Sequence, residues 1–277
     1  MSNSNTVAEL SQGEKDSVLY HNIFDYPLNF SDLIKWKSGK QFNDKNSSVI
    51  KRRGYYFLKG REGLIYKRLL RKRISDKKMN FAKKASRLLS FIPQIKMVGL
   101  TGSLSMENST EDSDIDFLII TKKGRLWTSR ILGYFLLWLN SYDIRKPLDT
   151  NQKDKLCLNM WLDESDAIWS KKDRNLYTAH EIAQIVPLVN KEKTYEKFLS
   201  LNKWVLDYWP NSVHINEKIK VKSEEVLRLK FLEKLAFKMQ YQHMKPKITR
   251  EVVTKTRAIF HPQDLSKKVL ERLQTRN

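Results

Sequence analysis

Asp114 and Asp116 are the first residues of this sequence whose types and spacing could carry out chemistry. They stand two positions apart, and the apolar run Phe117 to Ile120 that follows them predicts a buried strand. Alternate side chains of a strand lie on one face, so the two carboxylates are about 6–7 Å apart on the same face. Two such carboxylates repel each other, and a divalent cation relieves the repulsion. The pair therefore predicts a metal site.

A segment upstream has the composition of an anion-binding turn. Met97 to Leu100 predicts a strand, Gly102-Ser103 follows it, and Ser103 to Met106 predicts a short helix. Glycine permits a tight turn and a close approach of the backbone to a ligand, and the first N–H groups of a helix are free to bind an anion. An anion site beside a metal site is the equipment for phosphoryl or nucleotidyl transfer.

Together, Gly102-Ser103, ten intervening residues and the run Asp114 to Phe117 resemble the signature of the DNA polymerase β-type nucleotidyltransferase superfamily. The resemblance extends over roughly residues 95–165 and implies a small mixed sheet. It also implies that Gly102 and Ser103 hold the triphosphate of an NTP. In the same way it implies that Asp114 and Asp116 bind two Mg²⁺ ions.

The sequence departs from that superfamily at the third carboxylate, which members usually take from a later strand. Residues 155–162 predict this strand, its mid-strand polar residue is Asn159, and Asp163 follows on the same face. An Asn can offer a carbonyl oxygen to a metal but cannot act as a base. Either Asp163 replaces the missing carboxylate, or the metal itself activates the attacking hydroxyl. Asn159 and Asp163 thus join Asp114 and Asp116 as candidate catalytic residues.

The elements before this segment predict a winged-helix-like domain over residues 1–62. Its helices are predicted over 9–24, from Ser31, and over 43–53, and its β wing is Tyr55-Tyr56-Phe57-Leu58 between two glycines. Residues 63–94 follow as a basic connecting helix.

The elements after the acidic pair predict two further domains. An apolar helix over 125–140 and the strand over 155–162 complete a nucleotidyltransferase core over 95–170, and residues 171–277 predict a helical C-terminal domain. The expected fold class is α+β, a small mixed-sheet core between the winged-helix-like and helical domains. The C-terminal helices are predicted over 193–208, over 226–243 with Ser223 and Glu225 at the start, and up to Gln274 with Asp264 as cap.

Positive charge is concentrated in two segments. The chain has 52 Lys and Arg against 31 Asp and Glu, a net charge of +21. Residues 51–87 carry 15 basic and 2 acidic side chains and residues 217–277 carry 16 and 7, whereas residues 88–170 carry 9 and 11. Such a field attracts polyanions, which makes nucleic acid the favoured partner and acceptor. A solvated Lys-rich surface is the alternative explanation of the charge.

Several classes of protein are excluded. A single cysteine, Cys157, rules out an internal disulfide framework and a multi-Cys zinc module. The longest apolar run, residues 131–139, is shorter than the roughly 20 residues of a membrane span. The first residues resemble neither a signal peptide nor a transit peptide. We therefore expect a soluble, cytoplasmic protein without a membrane partner, and the sequence does not set its oligomeric state.

The resulting hypothesis is a Mg²⁺-dependent nucleotidyltransferase that moves NMP from an NTP to a hydroxyl acceptor and releases pyrophosphate. A protein hydroxyl and an aminoglycoside-like small molecule remain alternative acceptors. The rival hypothesis is a catalytically degenerate, nucleotide-sensing regulator that binds nucleic acid. Asn159 in the place of a carboxylate favours the rival, and the complete pair of Asp114 and Asp116 opposes it.

Overall fold

A four-stranded sheet and a six-stranded sheet organise the chain, each with helices packed against it. Their side chains form apolar cores that enclose large aromatic residues such as Trp36, Trp127 and Trp161. The computed structural model describes residues 6–42, 47–146, 149–215, 230–249, 251–260 and 265–274.

The N-terminal unit combines two helices with the four-stranded antiparallel sheet. Its elements are β1 (Thr6–Val7), α1 (Gln12–Asn22), β2 (Leu28–Asn29), α2 (Phe30–Lys35), β3 (Val49–Arg52) and β4 (Tyr55–Leu58). The strand order is β1-β3-β4-β2. Helix α2 is capped by Asn29, two residues before the expected cap Ser31, because the side chain of Asn29 accepts a hydrogen bond from the backbone N–H of Asp32 at 2.8 Å.

The prediction of a helix over residues 43–53 was wrong for residues 47–53, the part of this segment that the structure describes. Val49 and Ile50 are buried as expected, but they lie on strand β3, which pairs antiparallel with β4. Arg53 and Gly54 both have positive φ, the geometry of a two-residue hairpin turn, and β-branched residues favour a strand beside such a turn. The expected caps Asn43 and Asp44 lie outside the described residues.

A winged helix needs a third helix, and residues 6–42 and 47–62 contain only α1 and α2. The strand of the expected wing is present as β4, and it pairs with β3 in a hairpin that was not expected. The winged-helix-like domain therefore stays a prediction.

A single long helix, α3 (Leu64–Ser90), follows the hairpin, in agreement with the predicted connecting helix. Arg68 lies near its start and is only 5% exposed. Its guanidinium stacks 4.0 Å from the ring centre of Tyr26 and also reaches the loop that precedes Asp114. The helix thus fastens the N-terminal unit to the central sheet.

The central sheet has the strand order β8-β5-β6-β7-β10-β9. Strands β6 and β7 are parallel, and the other neighbours are antiparallel. Helices cover both faces, which explains why Phe117 to Ile120 is apolar without alternation. The strands are β5 (Ile95–Leu100), β6 (Ile115–Thr121), β7 (Leu156–Asp163), β8 (Val186–Asn190), β9 (Val252–Val253) and β10 (Arg257–Ile259).

The expectation that residues 171–277 are wholly helical was wrong. Strand β8 pairs with β5 at one edge of the sheet, and β10 pairs with β7 towards the other. These strands are short and are separated by helices, so their alternation was too brief to be read from the sequence. The sheet therefore continues past residue 170, and the division into domains at that position stays a prediction.

Within the described residues, six α-helices follow α3 along the chain. Ser223, Glu225 and Asp264, which we expected at helix starts, lie outside the described residues. None of the helices in the described ranges is both long enough and apolar enough to cross a membrane. The helices are α4 (Gly102–Ser105), α5 (Leu126–Leu139), α6 (Leu176–Ala183), α7 (Thr194–Leu201), α8 (Lys230–Met244) and α9 (Leu265–Gln274).

We expect Glu233→Ala to destabilise the protein by about 1–3 kcal/mol, because Glu233 of α8 caps the start of α5. Its carboxylate accepts hydrogen bonds from the backbone N–H groups of Trp127 at 2.7 Å and Thr128 at 3.0 Å. Urea unfolding measures the change, and Lys234→Ala, at an exposed neighbouring position, is the control. Equal stability of the two variants would contradict this capping role.

Candidate functional site

The parallel pairing of β6 with β7 places Asp116 directly opposite Cys157. The end of β5 also lies beside Asp116, because the backbone N–H of Thr101 donates a hydrogen bond to the backbone carbonyl of Asp116 at 3.0 Å. The acidic pair and the turn that begins at Gly102 are therefore brought to one end of the sheet.

Gly102 lies against the carboxylate of Asp116. Its φ is +64°, and a Cβ atom built there would lie 2.4 Å from Oδ2 of Asp116. Ser103 follows, with its Oγ 3.3 Å from Oγ of Ser109. Only glycine fits both the backbone conformation and the close contact, so the turn and the carboxylate form one unit.

Asp114 is held by an arginine. Nη1 of Arg145 donates to Oδ2 of Asp114 at 2.6 Å, and the Asp114 side chain is 12% exposed. The backbone N–H of Arg145 donates to the carbonyl of Leu156, which fixes the arginine beside β7. This ion pair supplies the positive charge that Asp114 needs in a partly buried position.

One ligand atom each from Asp114, Asp116 and Cys157 lies within 4.8 Å of the others. Burial raises the pKa of the Cys157 thiol, with the charges of Asp116 and Asp114 as the next causes, so the thiol is neutral at pH 7. The cluster thus offers two carboxylates and a neutral sulfur. Mg²⁺ takes one or two protein carboxylates together with phosphate oxygens, so the two carboxylates fit this ion, whereas the sulfur of Cys157 is not a ligand that it favours.

Cys157 was missed at the sequence level because only oxygen ligands were considered for the third position. Because alternate side chains of a strand share a face, Cys157, two residues before Asn159, could have been placed on the same face of β7.

The carboxyl of Asp116 keeps its proton to a higher pH than an ordinary aspartic acid does. Burial, followed by the neighbouring charge of Asp114, raises the pKa of Asp116 to about 7, while Cys157 and Arg145 act in the opposite direction. The side chain is nevertheless partly exposed, so a ligand can reach it. A bound cation would favour the ionised form of this carboxyl.

Asn159 lies beside Asp116. Its Nδ2 donates to Oδ1 of Asp116 at 3.3 Å, and an irregularity in the pairing of β6 with β7 brings it there. Its Oδ1 is buried without a hydrogen-bond partner among the described residues. Asn159 therefore orients the carboxylate through its amide nitrogen and leaves an oxygen acceptor free.

The prediction that Asp163 replaces the third carboxylate was wrong. It lies opposite Thr121, five residues along β6 from Asp116, a separation of roughly 16 Å. Its carboxylate accepts hydrogen bonds from the backbone N–H groups of Ser165 and Gly124. The side chain closes the turn after β7, a role that its position at a strand end did not reveal.

A further acidic residue that the sequence analysis did not consider is Glu181 on α6. Strand β8, which follows α6, begins at Val186 opposite Leu100, two residues before Gly102. Burial, followed by the charge of Asp116, raises the pKa of Glu181 to about 8. The sequence held no signal for this residue, because helix α6 is remote in sequence from the acidic pair.

Several basic side chains of α3 hold the loop between the turn and the acidic pair. Arg68 donates to the carbonyls of Met106 and Glu107, and Arg71 to Oδ1 of Asn108. Lys78 donates to the carbonyl of Ser113 at 2.7 Å and pairs with Asp154. This part of the basic segment thus stabilises the site from within.

Comparison with known proteins identifies a family. A family model described as "Nucleotidyltransferase domain" matches residues 79–274, more than two thirds of the chain. A search of curated proteins gave no significant match.

We expect Gly102→Ala to lower the melting temperature and to abolish the stabilisation of the protein by Mg²⁺ and NTP, because the new Cβ displaces the Asp116 carboxylate. The control is Gly124→Ala, since Gly124 has almost the same φ, +66°, with no atom within 4 Å of an added Cβ. Both variants carry the strain of a left-handed alanine, about 1–2 kcal/mol. Thermal melts with and without ligand measure the difference, and identical ligand responses would refute the contact.

Asp116→Asn is expected to stabilise the metal-free protein more at pH 8 than at pH 4. The folded state raises the pKa of this carboxyl from 3.8 to about 7. The folded protein thus binds more protons than the unfolded chain in this window, and the free energy of unfolding falls as the pH rises. The variant should remove about 1–3 kcal/mol of that loss.

Urea unfolding in EDTA at the two pH values measures this effect. Asp112→Asn, an exposed position in the preceding loop, is the control. A difference between Asp116→Asn and the original protein that is the same at pH 4 and pH 8 would show that the carboxyl is not perturbed.

Proposed function

Because the chain belongs to the nucleotidyltransferase domain family and is a transferase, we propose that it moves NMP from an NTP to a hydroxyl acceptor in a Mg²⁺-dependent reaction. Pyrophosphate is the second product. The observation that carries this proposal is the cluster of Asp114, Asp116 and Cys157, packed against the turn at Gly102.

Asp114 and Asp116 are the residues proposed to hold Mg²⁺, with two ions expected. When bound, Mg²⁺ neutralises negative charge on the triphosphate and on the two carboxylates. The protein prepares this position by keeping the carboxylate of Asp116, in β6, close to that of Asp114, which directly precedes β6. Arg145 orients Asp114, and Asn159 orients Asp116.

Gly102 and Ser103 are proposed to bind the triphosphate. The absence of a side chain at Gly102 lets a phosphate approach the backbone next to Asp116. In the reaction, the acceptor oxygen bonds to the α-phosphorus, the bond between the α-phosphorus and the bridging oxygen breaks, and pyrophosphate leaves. The turn and the acidic pair hold the phosphates in line for this displacement.

Nucleic acid remains the favoured acceptor. Although Arg68, Arg71 and Lys78 are engaged with the loop, Arg73 and Lys77 are exposed on α3. A polyanion near this helix would place a hydroxyl end within the field of the basic segment. Protein and small-molecule hydroxyls are the other outcomes of the assay below.

The second candidate function is the nucleotide-sensing regulator that binds nucleic acid without transfer. The specific observation in its favour is the neutral thiol of Cys157 opposite Asp116, on the strand that usually carries the third carboxylate.

The deciding experiment incubates the protein with Mg²⁺, each α-labelled NTP in turn, and separate RNA, DNA, protein and small-molecule fractions. We expect label in one fraction, reduced at least about 100-fold in Asp114→Asn/Asp116→Asn, because the double variant loses the charge that holds the metal. Asp112→Asn should retain the activity of the original protein.

Transfer that survives in the double variant would contradict the proposed roles of the acidic pair. Mg²⁺-dependent nucleotide binding without transfer to any fraction would instead favour the sensing function.

A further inference from the structure

We propose that helices α5 and α8 form a surface with which the protein attaches to an anionic lipid bilayer without crossing it. The inference goes beyond the proposed function and does not depend on it. It concerns apolar side chains that project from the core into solvent. A surface contact needs no spanning segment, so the length of the apolar runs in the sequence does not bear on it.

Helix α5 is apolar on more sides than its place in the fold requires. One side packs on the sheet, where Trp127 and Leu137 are fully buried and Gly133 lies against Trp161. The opposite side has five more apolar residues, which are 42–69% exposed. A helix that is apolar all round is normally enclosed, so this face indicates a partner. The five residues share one side of the helix and are Ile131, Leu132, Phe135, Trp138 and Leu139.

Helix α8 continues this face. It packs on α5 with Ala236 buried, and the amide of Gln240 donates to the carbonyl of Trp127 at 2.9 Å. Leu232 and Met239 lie one helical turn to either side of Ala236, so these two side chains border the contact with α5. The exposed apolar residues of α8 are Phe231, Leu232, Leu235 and Met239, and together with the exposed face of α5 they make up the α5–α8 surface.

The α5–α8 surface is larger than the apolar area that a monomer normally leaves in water. Phe135, Trp138 and Phe231 are 55%, 69% and 74% exposed. An enclosed aromatic side chain buries roughly 150–250 Å², so these three alone leave about 300–500 Å² uncovered. The largest apolar patch of a typical monomer is about 300–600 Å² in total. The other apolar side chains of the surface add to this area, which is therefore of the size that marks an interaction site.

The charges around the surface favour an anionic partner. Lys234 and Lys238 are exposed on α8, three and seven residues after Phe231, and thus lie on the same side of the helix. Glu233 is the only acidic residue in the sequences of α5 and α8, and its carboxylate is turned inward to cap α5. A second copy of this chain would bring two net charges of +21 together, whereas anionic headgroups would neutralise them.

The residue types suit the headgroup region of a bilayer. Phe135 and Trp138 form an aromatic pair with ring centres 6.0 Å apart, and tryptophan is enriched where a membrane meets water. Lysine side chains cover apolar surface with their stems and keep the ammonium group among the headgroups. An apolar helix face bordered by lysines is the pattern of a helix that lies in the plane of the membrane surface.

Attachment through this surface leaves the candidate site open. Leu118 and Ile120 share one face of β6 with Asp116 and belong to the core on the side away from α5. Ile119 points to the other face and packs in the core that includes Trp127 of α5. The membrane therefore meets the face of the sheet opposite to Asp116.

The test is flotation of the full chain with lipid vesicles. One set of vesicles contains phosphatidylglycerol and phosphatidylcholine in equal amounts, and the other contains phosphatidylcholine alone. The variant Phe135→Gln/Trp138→Gln removes the aromatic pair. Its matched control is Tyr66→Gln/Phe91→Gln, two aromatic residues that are 73% and 75% exposed outside the surface. Thermal melts and sedimentation without lipid are recorded on the same samples.

We expect the original protein to bind the anionic vesicles at least about tenfold more tightly than the neutral ones, because the lysines gain counter-charges. Phe135→Gln/Trp138→Gln should bind the anionic vesicles about tenfold or more weakly than the original, and the control should stay within about twofold. Lys234→Gln/Lys238→Gln should also bind about tenfold more weakly. All these positions are exposed, so the melting temperatures should not change.

Equal flotation of Phe135→Gln/Trp138→Gln and the original would overturn the assignment of this surface, as would an original protein that binds neither set of vesicles. If the original does not bind vesicles but sediments as a dimer that Phe135→Gln/Trp138→Gln converts into a monomer, a second copy covers the surface and the membrane proposal is wrong. None of these outcomes affects the proposed transfer reaction, which has its own assay.

Discussion

The repulsion between two carboxylates held close together at the start of a strand is the constraint on which the site depends. Asp116 lies in β6 and Asp114 directly precedes it, so the surrounding residues must compensate the charge of both. Arg145 forms an ion pair with Asp114, whereas among the described residues Asp116 receives hydrogen bonds from the amide of Asn159 and the thiol of Cys157 and a smaller effect of the Arg145 charge. The charge that remains unbalanced is located at Asp116, where a cationic ligand gains most from binding.

The local parts of the site could be predicted from the sequence, because they follow from spacing. The strands and the spacing of the paired acids follow the two-residue period of a strand. The turn at Gly102 follows the tolerance of glycine for positive φ. The prediction for Asp163 was wrong because its distance from Asp116 depends on the register of β7 against β6, which tertiary pairing sets. The pairing of β8 with β5 could not be found either, since a chain crossover brings these strands together and leaves no local pattern.

The basic segment shows how a charge pattern can have two uses. From composition alone, the lysines and arginines of residues 51–87 form a surface for polyanions. The structure instead directs several of them inward, where they bind carbonyl groups of the loop before Asp114. Hydrogen bonds of this kind replace those that a loop of polar residues would otherwise make with water. The connecting helix α3 is thus part of the site's support.

The late position of β10 has a consequence for the synthesis of the chain. Strands β5 to β8 are complete once Asn190 has left the ribosome, but the outer edge of β7 stays open until Ile259 has emerged. During that interval the edge that includes Trp161 presents unpaired backbone groups to any neighbouring strand. A ribosome that stalls within this interval would release a chain in which the outer edge of β7 is free to pair with a strand of another molecule.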